Sequence, residues 1–306
     1  MIVFAIPLRA KATTNNWDNC VLDFSNTIRS IFNQTCDEFR VIVACHDVPA
    51  LSEAYDERLE FIPVTTPIPS CHIEYCRDKF WKLSVIGDRI RRLILENGWS
   101  GGVYVMPVDA DDLLNRHIAA WCVDHPDEFG AVSRDGYVWN KNKRFLTIYK
   151  QMHTYCGSCN IIRMNLEDLP ENVSLSSELA LDKETAGIMN ARYPLRFNHN
   201  EMVEKYKKQG KPFAVLPFRS TIYVTATGEN ISGNGNKKEK DRFHPVAFVR
   251  SLNPFQYHLI TGKVKKDFGI AGHRQDTGTV LLSCRRTVPM SYGVCYTGIL
   301  QRHHQR

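Results

Sequence analysis

Val103 to Val108 is an apolar, β-rich run that ends abruptly in Asp109-Ala110-Asp111-Asp112. In an extended strand, residues two apart project to the same side, so Asp109 and Asp111 leave the strand's carboxyl end together. Two converging carboxylates repel unless something positive lies between them. A hard divalent cation, Mn2+ or Mg2+, held by oxygens and bridged to a substrate phosphate, suits that position. The competing reading is structural: Asp111 or Asp112 caps a helix that starts near Leu113. A histidine elsewhere in the chain often completes such a site. His199, at the start of a helical segment, is the first candidate and His273 the second, each against the alternative of an ordinary hydrogen-bonded surface histidine. Asp78 and Lys82, four apart on a long helix, read as an ion pair. Tyr137 and Trp139 read as core aromatics or as rings that stack on a sugar. Cys156-x-x-Cys159 stands alone, without the second pair that a structural zinc needs.

The elements that must position these residues follow from periodicity. Ile2 to Ile6 is a strand that Pro7 ends. Val21, Phe24, Ile28 and Ile31 recur at helical spacing over about 20–33. Arg40 to Ala44 and Leu59 to Val64 are further strands, and Cys45-His46-Asp47 lies at the carboxyl end of the first of these two. A helix is expected over about 77–95, broken by glycines at 98–102. Strands and helices alternating without hairpin signals call for a mostly parallel sheet covered on both faces, a three-layer α/β/α sandwich. In such sheets ligands bind beyond the carboxyl ends of the strands, where Pro7, Asp47, Asp109 and Asp111 all arrive. Farther along, the pattern predicts a helix over about 113–125, a hairpin over 131–149 around Asn140 to Lys143, and a strand over 160–164. It also predicts helices over about 176–190 and 199–209 and a strand-rich stretch over 213–224. A Gly/Asn/Lys-rich loop over 228–240 reads as a mobile lid.

With 43% hydrophobic and 10% aromatic residues, the 306-residue chain can bury a substantial core. No apolar run is long enough to span a bilayer, and the first residues lack a basic leader, so a cytoplasmic protein is expected. Ten cysteines scattered through apolar patterns read as buried thiols. Residues 237–306 hold thirteen basic and four acidic side chains, in a chain whose net formal charge is +6. That basic quarter reads either as a solvated face or as a peripheral contact with an anionic membrane surface or glycan. No nucleic-acid partner is expected. The domain boundaries follow: one domain over 1–228, with a nucleotide-binding half over about 1–112 and an acceptor half over about 113–228, then an irregular C-terminal extension over 229–306.

Three segments together carry a family resemblance. Asn26-Thr-Ile-Arg-Ser-Ile-Phe-Asn-Gln-Thr35, then Glu38-Phe-Arg-Val-Ile-Val43, then Val108-Asp-Ala-Asp-Asp112 are similar to the opening of family 2 glycosyltransferases with the A-type fold. Cys156-Gly-Ser158 resembles that family's acceptor-side segment. The resemblance implies a nucleotide-diphospho-sugar donor, a divalent metal on Asp109 and Asp111, and transfer with inversion to a glycan or lipid-linked acceptor, as in surface-polysaccharide assembly. It implies donor contacts from Pro7, Asp47, Asp78, Lys79, Lys82 and Asp109. The family's catalytic carboxylate pair has no clear counterpart, which leaves Glu178 and Asp182 as the catalytic candidates. Where most members end the second strand in Asp-Asp-Gly-Ser, this chain has Cys45-His46-Asp47. That departure, with the missing carboxylate pair, keeps a non-catalytic nucleotide-sugar or glycan-binding domain in view. A sugar nucleotidyltransferase is the other alternative, against which stands the absence of a glycine-rich signature after Ile6.

Overall fold

A computed structural model describes residues 1–99, 101–228 and 257–270. A seven-stranded sheet forms the centre, in the order β10-β6-β9-β4-β1-β2-β3. Its strands are β1 (Ile2–Pro7), β2 (Phe39–Cys45), β3 (Leu59–Pro63), β4 (Val103–Pro107), β6 (Gly130–Val132), β9 (Asn160–Met164) and β10 (Ala214–Val215). β1 runs parallel to both β2 and β4, and only β9 opposes its neighbours.

Both faces of the sheet are covered, which is why β1 reads as one unbroken apolar run. Ile2, Phe4 and Ile6 pack with Phe24, Ile28 and Ile31 of α1 (Trp17–Phe32) and with Ile118 and Cys122 of α3 (Ile118–Asp124). Val3 and Ala5 face the other way, onto Trp81, Ile86 and Ile90 of α2 (His72–Asn97) and onto Met202 and Tyr206 of α5 (His199–Lys208). The expected three-layer α/β/α build is therefore observed.

Three helices differ from the pattern. α2 begins at His72 rather than near 77, with Glu74 accepting hydrogen bonds from the Ser70 N–H and Oγ at 2.7 Å each. Its first turn shows no apolar stripe because it faces a cavity instead of the core. The helix expected over 113–125 is confined to α3. Leu113–Leu114 is instead a short strand, β5, held antiparallel to β11 (Thr221–Thr225), a pairing too distant in sequence for local periodicity to register. Likewise, the helix expected over 176–190 is a 3-10 turn over Glu178–Leu181 followed by α4 (Lys183–Arg192).

A smaller five-stranded sheet, β12-β8-β7-β11-β5, is built around the expected hairpin of β7 (Asp135–Asn140) and β8 (Phe145–Lys150). Ala131, read as part of that hairpin, belongs instead to the central sheet. β12 (Tyr257–Leu259) pairs with β8, and α6 (Gly262–Phe268) buries Val264 and Phe268 against Leu113 and Tyr137. Of the extension expected after 228, residues 257–270 are described, and they pair and pack with residues before 228. The lid read over 228–240 lies outside the described residues beyond Gly228, as does His273. Among the described residues no helix is long and apolar enough to cross a membrane.

Glycine is required where β6 meets β9. A Cβ on Gly130 would lie 2.5 Å from the Ile161 carbonyl oxygen and 2.7 Å from the Phe213 ring, whereas one on Gly187 in α4 would meet nothing within 4 Å. Gly130→Ala is expected to destabilise by roughly 1–3 kcal/mol, and Gly187→Ala to stabilise by about 0.5–1 kcal/mol. Denaturant midpoints that move in opposite directions would bear this out.

Candidate active site

The chain order reverses at β1, because β2 and β3 lie on one side of it and β4 on the other. Open α/β sheets bind ligands at such a switch point. Here a cavity of about 370 Å³ opens there, lined by Pro7 from β1, Asp109 and Asp111 from beyond β4, and Tyr75, Asp78 and Lys79 from the first turns of α2. Arg9 and Thr13 line it after β1, Asp23 lines it from α1, and Tyr155, Cys156, Gly157, His199 and Tyr223 line it as well.

The acidic segment is fastened by α1. Thr27 Oγ1 donates to the Ala110 carbonyl at 3.0 Å, and Ser30 Oγ accepts the Leu114 N–H at 3.0 Å. Gln34 brackets the following turn, donating to the Asn115 carbonyl at 2.9 Å and accepting the Ala119 N–H at 2.8 Å. The Thr-x-x-Ser…Gln pattern that carries the family resemblance is thus a clamp on the loop that presents the carboxylates.

The three acids have separate surroundings. Asp112 is fully buried and structural. Its Oδ2 accepts from Ser158 Oγ at 2.6 Å and Cys156 Sγ at 3.2 Å, and its Oδ1 from the Val224 N–H at 3.2 Å. It caps no helix; it ties β4 to the smaller sheet. Burial first, then the neighbouring Cys156, Asp111 and Asp109, push its carboxyl well above the usual range. Asp109 receives the Lys79 ammonium on Oδ1, and its N–H donates to Ser158 Oγ at 2.9 Å. Burial, then Asp109 and Asp23, push Asp111 up from 3.8 to about 7. Asp23 is ion-paired to Lys141, which reaches across from the β7–β8 turn.

Lys79 is pulled down by burial but held above its ordinary value by Asp109. His199 is pushed down by burial and then by Lys79, which keeps its imidazole neutral at physiological pH. Among the described residues no group of three or more His, Cys, Asp or Glu is placed to hold a metal ion, so His199 shares the cavity without completing a set with Asp109 and Asp111. Two hard carboxylates, one held against a lysine and one crowded into protonation near neutrality, nevertheless fit a cation whose other positions are filled by ligand oxygens and water.

Several candidates lie away from the cavity. Lys82 is fully buried beneath it, 2.6 Å from Asp78 Oδ2, and burial pushes its ammonium down. Asp47 accepts the Lys11 N–H at 2.8 Å, so it holds the loop that carries Arg9 and Thr13. Glu178 is exposed on a 3-10 turn, and Asp182 caps α4 by accepting the Thr185 N–H at 2.7 Å. Neither lines the cavity. Tyr137 is buried against Phe268, and Trp139 donates to the Lys143 carbonyl; Tyr155 and Tyr223 supply the aromatic wall instead. Cys156 and Cys159 are buried free thiols, and burial holds Cys156 protonated. Sequence reasoning passed over Arg9, Asp23, Tyr155 and Tyr223. Asp23 carried a usable signal, a carboxylate on the buried side of an amphipathic helix.

No family model and no curated protein matches the chain. Among solved structures it is similar to S. aureus TarS 1-349, at 12% identity and a TM-score of 0.37. The likeness covers 73% of this chain and 60% of that one, so the chain spans less than two thirds of that structure. A score of that size carries nothing about the reaction.

Two outcomes are expected. Asp111 holds its proton more tightly folded than unfolded, so stability falls as pH rises from about 4 to about 7 and then levels. In ligand-free protein Asp111→Asn should therefore raise the unfolding temperature near pH 8 and change it little near pH 4, as thermal scans at the two pH values would show. Ser30→Ala, which strips the buried Leu114 N–H of its partner, should cost about 1–3 kcal/mol by denaturant titration.

Proposed function

We propose that the chain is a glycosyltransferase that moves a sugar from a nucleotide-diphospho-sugar to a glycan or lipid-linked acceptor, as in surface-polysaccharide assembly. One observation carries this reading: Asp109 and Asp111 share a cavity with Lys79 and the amino end of a 26-residue helix. The acid pair attracts a cation, while the helix end and the lysine attract an anion. A diphosphate that arrives with a divalent cation satisfies both at once.

Asp109 and Asp111 would hold Mn2+ or Mg2+, which when bound supplies Lewis-acid neutralisation of the leaving diphosphate. Lys79, released from Asp109, turns its ammonium to the diphosphate oxygens, a charge-assisted contact of the stronger kind. Arg9 stands on the same wall, 5.7 Å from the Tyr75 ring centre, as a second cation toward the donor. The acceptor hydroxyl must also lose a proton. Glu178 and Asp182 are outside the cavity, so we assign that step to His199, which lines it and whose pKa is lowered by burial.

The position of Glu178 and Asp182 favours a second reading, a nucleotide-sugar-binding domain without turnover. Calorimetric titration with nucleoside diphosphates, with and without manganese, followed by assay of donor-sugar hydrolysis, separates the two. The transferase reading expects manganese to tighten binding at least tenfold and donor to be hydrolysed slowly. It expects Asp111→Asn to lower turnover by roughly a hundredfold or more. Metal-dependent binding without hydrolysis would favour the binding domain, and no nucleotide binding would discard both.

A further inference from the structure

Two half-exposed tyrosines stack on each other, and one of them, Tyr155, lines the cavity. Tyr155 is 48% and Tyr149 41% exposed. Their rings stack with centroids 4.8 Å apart at 27°, and Tyr155 meets Tyr223 edge-on at 5.3 Å and 81°. Tyr155 and Tyr223 line the cavity and Tyr149 does not, so the three rings lead from inside it to the surface. A centroid separation of that size means that the stacked rings are displaced sideways, which leaves part of each face uncovered.

The chain is specifically shaped to hold this arrangement. Gln151 takes a left-handed backbone, φ 56°, a conformation that costs a residue with a Cβ and turns the chain back beneath β8. Met152 is then fully buried against Gly136, where a Cβ would lie 2.5 Å from the methionine Cγ. The Tyr155 and Cys156 N–H groups both donate to the Met152 carbonyl at 2.9 Å. Cys156 Sγ in turn donates to Asp112, so the platform is tied to the loop that carries Asp109 and Asp111. Lys79, Arg9 and the amino end of α2 line the same cavity, and Tyr155 and Tyr223 add aromatic rings to it. A pyranose ring, with C–H groups on its faces and hydroxyls at its rim, matches those rings, whereas a phosphate does not.

We infer that Tyr155 and Tyr149 form the acceptor subsite, and that the acceptor is a saccharide of at least two units running out of the cavity across both rings. This rests on the glycosyl-transfer reading above. The test is saturation-transfer NMR on the full chain with uncharged cello-, malto- and chito-oligosaccharides from disaccharide to pentasaccharide. Calorimetry with nucleoside diphosphate and manganese runs in parallel. The wild type is expected to contact sugar-ring protons of at least one series, more strongly for longer members. Tyr155→Ala and Tyr149→Ala should each weaken that contact roughly threefold to tenfold, while Tyr155→Phe and Tyr149→Phe, which keep the ring, should retain it. Nucleotide affinity should be unchanged in Tyr149→Ala. The inference is overturned if no oligosaccharide contacts the wild type, or if the alanine variants bind saccharide as well as it does. It is also overturned if Tyr155→Ala loosens the nucleotide alone, which would make the rings a base-stacking site. Saccharide contact that depends on both rings, in a chain that binds no nucleotide, would uphold the platform and sink the transfer reading.

Discussion

Crowding of like charge at the end of β4 is the constraint on which the rest of the structure depends. Three aspartates within four residues cannot all ionise in a half-buried place without help. Each is relieved differently: Asp112 by hydrogen bonds from Ser158, Cys156 and the Val224 N–H, Asp109 by Lys79, and Asp111 by a strongly raised pKa. Asp109 and Asp111 both line the cavity, whereas Asp112 does not.

Around that strain the scaffold is rigid. α1 grips the loop through Thr27, Ser30 and Gln34, while α2 delivers Lys79 from its first turns and anchors itself through the buried Lys82–Asp78 pair. The smaller sheet contributes Tyr223 to the cavity. β5, immediately after the acids, pairs with β11, and Ser158 bridges Asp109 and Asp112. Loop and sheet are thus one mechanical unit, and the carboxylates are held in place by it. Residues outside the cavity therefore have a large share in shaping it. Asp47 is an example: its oxygen holds the Lys11 N–H, and the loop so held carries Arg9 and Thr13 to the cavity wall.

Much of this was legible in the residues. Strands buried on both faces and helices with apolar stripes specify a layered α/β build from local periodicity alone, since burial on two faces demands unbroken apolar runs. The placing of Asp109 and Asp111 was legible because strand geometry puts them on one side. What failed had a common cause. The first turn of α2 faces a cavity and so lost its apolar stripe, and β5 owes its strand form to a partner far along the chain. Tyr155 was hidden in a segment without periodicity, where only Gln151's backbone turn and Met152's burial bring its ring to the cavity.

By itself, then, the sequence determined the central sheet, the two main covering helices and the pair of acids at a strand end, because each depends on residues close together in the chain. Tertiary structure alone decided which acid is structural and which faces the cavity, which lysine reaches it, and which aromatics wall it. Those outcomes turn on desolvation and on contacts between distant segments, and neither leaves a local signature.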